Sequence, residues 1–267
     1  MDMKRLTSAV LGISVVIAVF LLGNKYVVDV LLALVAFLAL DEYFKAISKV
    51  SNPVKWIGYL SCISIAVIHL IPAEYLLAVS ALSVPTILVI LFTQVIVTQM
   101  KTSFKDITYT FLGIFYVVYF TLFVALIYGR EAGNVLIWLT ISASWAGDIF
   151  AYVFGKYFGK HKFSKVSPKK SIEGCIANII GGITFMLIFT YCANTFWGQN
   201  FSYLYVALIG IVLNVIGQLG DFAASTIKRY VDIKDYSNLI PGHGGMLDRI
   251  DSLIFIAPFA YVLFMFI

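Results

Sequence analysis

The stretch YLYVALIGIVLNVIGQLGDFAASTI, residues 203–227, decides the fold. It exceeds the roughly 20 residues that a helix needs to cross a hydrocarbon core of about 30 Å. Lipid leaves no water to satisfy an open backbone, so the segment must be helical. Yet Asn214, Gln218, Asp221 and Ser225, with Lys228 just beyond, recur at steps of four, three, four and three and share one helix face. A carboxylate in hydrocarbon costs on the order of 3 kcal/mol even on a lenient scale. That face therefore turns to a bundle interior or an aqueous cavity, and the stretch predicts a membrane helix with a polar inner seam.

The rest of the chain repeats the apolar part of the pattern. It is 61% hydrophobic and 12% charged, and no segment between apolar runs is long enough for a separate soluble domain. The expected fold is all-α, a polytopic helix bundle of about nine transmembrane spans: Leu6–Leu22, Val27–Ile47, Val54–Ile71, Tyr75–Val97, Ile107–Tyr128, Val135–Phe154, Ile172–Phe196, Tyr203–Ile227 and Ile250–Ile267. The second is the weakest, with Asp29, Asp41 and Glu42 inside it, and Pro85 predicts a kink in the fourth. The basic N-terminus is followed by a long apolar run without an A-x-A site, so it reads as a retained first span. Nine spans put the termini on opposite sides. One side collects most of the Lys and Arg residues, including six lysines from Lys156 to Lys170, and the other only Lys25 and Arg130. By the positive-inside rule the first side, with the N-terminus, is cytoplasmic. The net charge of +5 follows from that orientation and from anionic headgroups, and nucleic acid is not an expected partner. Cys62, Cys175 and Cys192 all lie in apolar runs without C-x-x-C spacing, which excludes a disulfide framework or zinc site.

Polar residues concentrate after Trp145. Residues 1–134 read as scaffold helices, and 135–267 as the half that carries the chemistry. The sixth span carries Ser144, Asp148 and Tyr152 one turn apart, and the seventh Gly174, Asn178 and Gly182, small enough for close backbone approach. Spans six to eight thus predict a polar pocket opening to the cytoplasm. Carboxylates there suit Mg²⁺, which takes one or two of them plus phosphate oxygens and water. Lys169, Lys170, Lys228, Arg229, Lys234 and Arg249 supply charge for phosphates, and the glycines of PGHGG, residues 241–245, allow an anion nest. Phosphoryl or nucleotidyl transfer to a lipid is the chemistry these features predict. GKYFGKH, residues 155–161, fails as a P-loop because its glycines are too close and no Ser or Thr follows the Lys. His69 and His161 receive no chemistry, and His243 alone reads equally as a loop-fixing residue.

The run STIKRYVDIKDYSNLIPGHGGMLDRID, residues 225–251, resembles the signature of phosphatidate cytidylyltransferases, also called CDP-diacylglycerol synthases: S-x-x-K-R, four residues, K-D, then P-x-H-G-G-x-x-D-R-x-D. Every fixed position is present. Asp148, Ala151, Tyr152, Gly155 and Lys156 resemble the family's D-x-x-A-Y-x-x-G-[RK] segment. Ser167, Pro168, Lys169, Lys170, Ser171, Glu173 and Gly174 resemble its S-P-K-K-[ST]-x-E-G segment. Family members often carry Glu before the signature Ser, where this chain has Ala224. The motifs cover about the last 110 residues of the chain.

The resemblance implies transfer of CMP from CTP to phosphatidic acid, giving CDP-diacylglycerol and pyrophosphate. The implied enzyme is Mg²⁺-dependent and homodimeric, lies in the bacterial cytoplasmic membrane, and has its active site facing the cytoplasm. On that basis Asp221 and Asp248, with Asp148 and Asp251, are expected to bind metal, with a second cation, Mg²⁺ or K⁺, where four carboxylates converge. Lys169, Asp221 and Asp248 are the expected catalytic residues. Lys170, Ser225, Lys228, Arg229, Lys234, His243, Gly244, Gly245 and Arg249 are expected to contact substrate. Two other readings are a CTP-dependent polyprenol or phytol kinase and a cation or lipid transporter. The spaced signature argues against the first. The apolar outer half of the eighth span argues against the second.

Overall fold

A computed structural model describes residues 12, 14, 16–162, 164, 166–168, 170–239 and 244–267. Among them the chain is helical throughout, without a strand, and an isolated antiparallel bridge joins Lys162 to Ser171. Residues 16–22 are helical. The subsequent helices are α1 (Lys25–Ile47), α2 (Lys55–Ser61), α3 (Ile63–Ala66), α4 (Ala73–Val97), α5 (Phe104–Tyr128), α6 (Gly133–Phe158), α7 (Ile172–Phe196), α8 (Tyr203–Tyr230) and α9 (Leu247–Leu263). Among the described residues six helices, α4 to α8 and Leu247–Phe266, are long and apolar enough to cross a membrane. The chain is an integral membrane protein.

These six correspond to the last six expected spans. The first expected span falls partly outside the described residues. The second is α1, a full helix whose apolar run is interrupted by Asp29, Asp41, Glu42 and Lys45. The third is broken: α2 and α3 are single short pieces that end at Cys62 and Val67, followed by a 3₁₀ turn at Ile68–Leu70. Pro85 lies within α4, which runs on through it.

The chain forms two compact units, Met1–Ala125 with Val231–Arg249, and Leu126–Tyr230 with Ile250–Ile267. The segment Val231–Arg249 of the signature thus groups with the N-terminal helices. In the first unit, Asn24 caps α1 by accepting the Val27 N–H at 3.0 Å, and a capping box of Ser103 and Asp106 starts α5. Tyr43 and Phe44 are fully buried. The Tyr43 hydroxyl donates to the Tyr109 carbonyl at 3.1 Å, and a Cβ on Gly58 would lie 2.5 Å from the Phe44 ring. The core here is aromatic against glycine.

In the second unit polar amides join aromatics at the helix contacts. Asn178 and Asn214 are both buried, and a Cβ on Gly147 would meet their side-chain oxygens at 2.9 and 2.7 Å. Gly182 faces the Asn214 amide more closely still, so α6, α7 and α8 approach through small residues. Within α6 a π-helical turn covers Ser142–Ala146. Ser144, inside this turn, is buried, while Asp148 and Tyr152, beyond it, are exposed.

Candidate active site

In the second unit the polar seam of α8 turns inward, with Asn214 and Ser225 buried and Gln218, Asp221 and Lys228 half-buried. Asp221 forms an ion pair with Lys170, whose ammonium also sits 4.2 Å from the centre of the Phe222 ring. Ser225 Oγ donates to Asp221 Oδ1 at 3.4 Å, and Gln218 Nε2 donates to the Cys175 carbonyl at 3.3 Å. Asp251 is buried, accepts the Ser252 N–H at 2.7 Å, and lies within electrostatic reach of Asp221, Lys228 and Asp148. Asp148 Oδ1 accepts from Asn178 Nδ2 at 3.2 Å. Three carboxylates and two lysines from four stretches of chain therefore act on one another.

Local sequence fixes Lys170. It immediately precedes Ser171, which caps α7 by accepting the Gly174 N–H at 3.2 Å. This places Lys170 at the positive end of a long helix, where an anion is favoured. The lysine-rich loop before it is closed at its neck. Glu173 accepts the His161 N–H at 3.2 Å and contacts His161 Nδ1 at 2.7 Å, while the Ile172 N–H donates to the His161 carbonyl at 2.9 Å. His161, given no role from sequence, is thus part of the loop's closure.

In the first unit, Asp248 organises the signature segment. Its Oδ2 accepts the Tyr236 N–H at 2.9 Å and the Gly245 N–H at 3.0 Å. Gly244 stands at φ +83°, with Asp248 Oδ2 3.1 Å from where a Cβ would be, a conformation that favours glycine. Lys234 and Arg249 are exposed, as is Arg229 in the second unit. Lys169 and His243 lie outside the described residues. Among the described residues, no three His, Cys, Asp or Glu side chains form a group that could hold a metal by themselves. Sequence reasoning missed Glu42, a buried carboxylate of α1 bonded to Ser237, Met246 and Leu247. The same signal that singled out Asp221, a carboxylate in an apolar run, could have found it.

A family model described as "Cytidylyltransferase family" matches residues 3–267. A phosphatidate cytidylyltransferase of Synechocystis sp. is 31% identical, over 98% of this chain and 96% of that protein. One of Staphylococcus saprophyticus is 31% identical, over 97% of both chains. One of Bacillus subtilis is 34% identical, over 65% of this chain and 64% of that protein.

Proposed function

The chain belongs to the cytidylyltransferase family, and from that membership we propose that it transfers CMP from CTP to phosphatidate, giving CDP-diacylglycerol and pyrophosphate. The observation that carries this reading is the complete signature at residues 225–251 within a family match that spans the chain. Purified protein given CTP, Mg²⁺ and phosphatidate should release pyrophosphate only when both substrates are present. Release without lipid, or no release at all, would contradict it.

The nucleophile is a lipid phosphate oxygen. A phosphate monoester has its second pKa at about 6, so this oxygen is anionic near neutral pH and needs no strong general base. It bonds to the α-phosphorus of CTP while the bond from that phosphorus to the α,β-bridging oxygen breaks. Pyrophosphate leaves with the electron pair. The obstacle is repulsion between two anions, so catalysis rests on positioning and positive charge. Lys170, at the start of α7, receives the triphosphate together with Lys169. Lys228 and Arg229 add charge at the end of α8, and Ser225 orients Asp221.

The donor set fits Mg²⁺. The ion needs only one or two carboxylates when phosphate oxygens and water complete its shell, and half-buried Asp221 with Asp251 and Asp148 close by supplies them. A triphosphate that draws Lys170 to itself leaves Asp221 to hold the cation. Bound Mg²⁺ would neutralise phosphate charge and orient the leaving group. Asp248, Lys234, His243, Gly244, Gly245 and Arg249 keep the roles that the family signature implies, Asp248 as a further ligand and the others around the phosphates. A second cation, Mg²⁺ or K⁺, belongs to the same proposal. So do the homodimer, the nine crossings with a cytoplasmic N-terminus, and an active site facing the cytoplasm of a bacterial cell. The asymmetry of Lys and Arg supports that orientation.

A further inference from the structure

We infer that Glu42, on the N-terminal helix α1, is a positioning residue for the signature loop and for Asp248, an inference that rests on the cytidylyltransferase reading. Glu42 is 4% exposed. Its Oε1 accepts the Ser237 hydroxyl at 2.6 Å and the Met246 N–H at 2.9 Å, and its Oε2 accepts the Leu247 N–H at 2.9 Å. Gly245 packs against the same carboxylate: a Cβ there would lie 2.7 Å from the Glu42 carboxyl carbon. The glycine at 245 is therefore required by close approach, whereas the one at 244 is required by its backbone angle.

The pattern has a physical reason. The first N–H groups of a helix have no partner within it, and α9 begins at Leu247. Three successive amides at its start each find a carboxylate oxygen: Gly245 that of Asp248, Met246 and Leu247 those of Glu42. A carboxylate brought from 204 residues away along the chain to Met246 thus serves as the cap that the local sequence lacks. All three groups on Glu42 are donors, which suits an acceptor-only side chain. A glutamine would turn an NH₂ toward one of them. Pinning Gly245–Leu247 fixes where Asp248 leaves the loop, so the N-terminal half sets the position of a residue in the family signature.

The test uses the full-length protein in detergent micelles, with hydrogen exchange at Gly245–Leu247 and steady-state kinetics as separate readouts. Glu42→Gln should speed exchange at these amides. It should also cut CMP transfer about 10- to 100-fold, the scale of one or two lost charge-assisted hydrogen bonds, with the KM for CTP raised and that for phosphatidate unchanged. Gly245→Ala, which pushes the carboxylate away from the loop side, should reproduce both effects. The Glu42→Gln/Gly245→Ala double variant should be no worse than the poorer single. Asp41→Asn, one residue away but bonded to Lys45 and Tyr59, should leave both readouts unchanged. Unchanged exchange with turnover within about twofold, additive losses in the double variant, or an equal effect of Asp41→Asn would each overturn the inference. Should the unaltered protein transfer no CMP, the functional reading fails, and the exchange arm alone judges whether Glu42 anchors the loop. Should Glu42→Gln not fold, Gly245→Ala carries the test.

Discussion

Replacing Lys170 by Met removes the charge that sits on Asp221 while keeping an apolar stem. The side chains of Lys170 and Asp221 are 25% and 29% exposed, intermediate between surface and core. At an effective dielectric of about 20, a contact pair attracts by about 4 kcal/mol before desolvation. Exposed pairs retain about 0–1 kcal/mol of net stability, whereas stripping one partner from a buried pair costs about 3–5 kcal/mol. Lys170→Met should therefore destabilise the protein by about 2 kcal/mol, including the lost contact with Phe222. Asp221→Asn should cost a similar amount. The double variant should fall short of the sum by about 1–2 kcal/mol, the coupling expected for residues in contact. Activity should behave differently: each single variant and the double should lose CMP transfer by at least about 100-fold, because each charge has its own target in the reaction. Thermal unfolding in detergent measures the first quantity and pyrophosphate release the second. A double variant that regains activity along with stability would refute the reasoning, since the pair would then be structural only. Strictly additive stability losses would deny the contact itself.

The geometry sets three further outcomes. Gly182→Ala places a Cβ on the Asn214 amide and should cost about 1–3 kcal/mol by overpacking, read as a lower unfolding midpoint; an unchanged midpoint would deny the close contact of α7 and α8. Chelation should abolish transfer and added Mg²⁺ restore it, with Asp221→Asn needing a higher Mg²⁺ concentration than the unaltered protein; equal Mg²⁺ dependence would remove Asp221 from the cation site. Cysteines introduced at Asn238 and Lys162 should react with a membrane-impermeant reagent only from the cytoplasm, and those at Asn24 and Gln199 only from outside; labelling of positions 162 and 199 from one side would exclude the nine-span arrangement.

The helices from α4 onward were legible because an apolar run of that length in lipid has few other conformations. Asp221 was legible for a related reason, as a charge where lipid should be. The break across Lys55–Leu70 was not legible, because hydropathy does not register where a helix is interrupted. Nor was the π turn at Ser142–Ala146, which changes the helix period without a mark in composition. Glu42 looked like a flaw in the second span because its partners lie 195 to 205 residues further on. The pairing of Lys170 with Asp221 was hidden in the same way: each was read as a candidate site residue, but spacing along the chain does not bring them together.

The central claim concerns which phosphorus of CTP is attacked, and position-specific labels test it most directly. Purified protein with Mg²⁺, phosphatidate and CTP labelled at the α-phosphate should give labelled CDP-diacylglycerol, and CTP labelled at the γ-phosphate should put its label into pyrophosphate and none into lipid. Label from the γ-phosphate in the lipid, with CDP released, would contradict the account and make the protein a kinase.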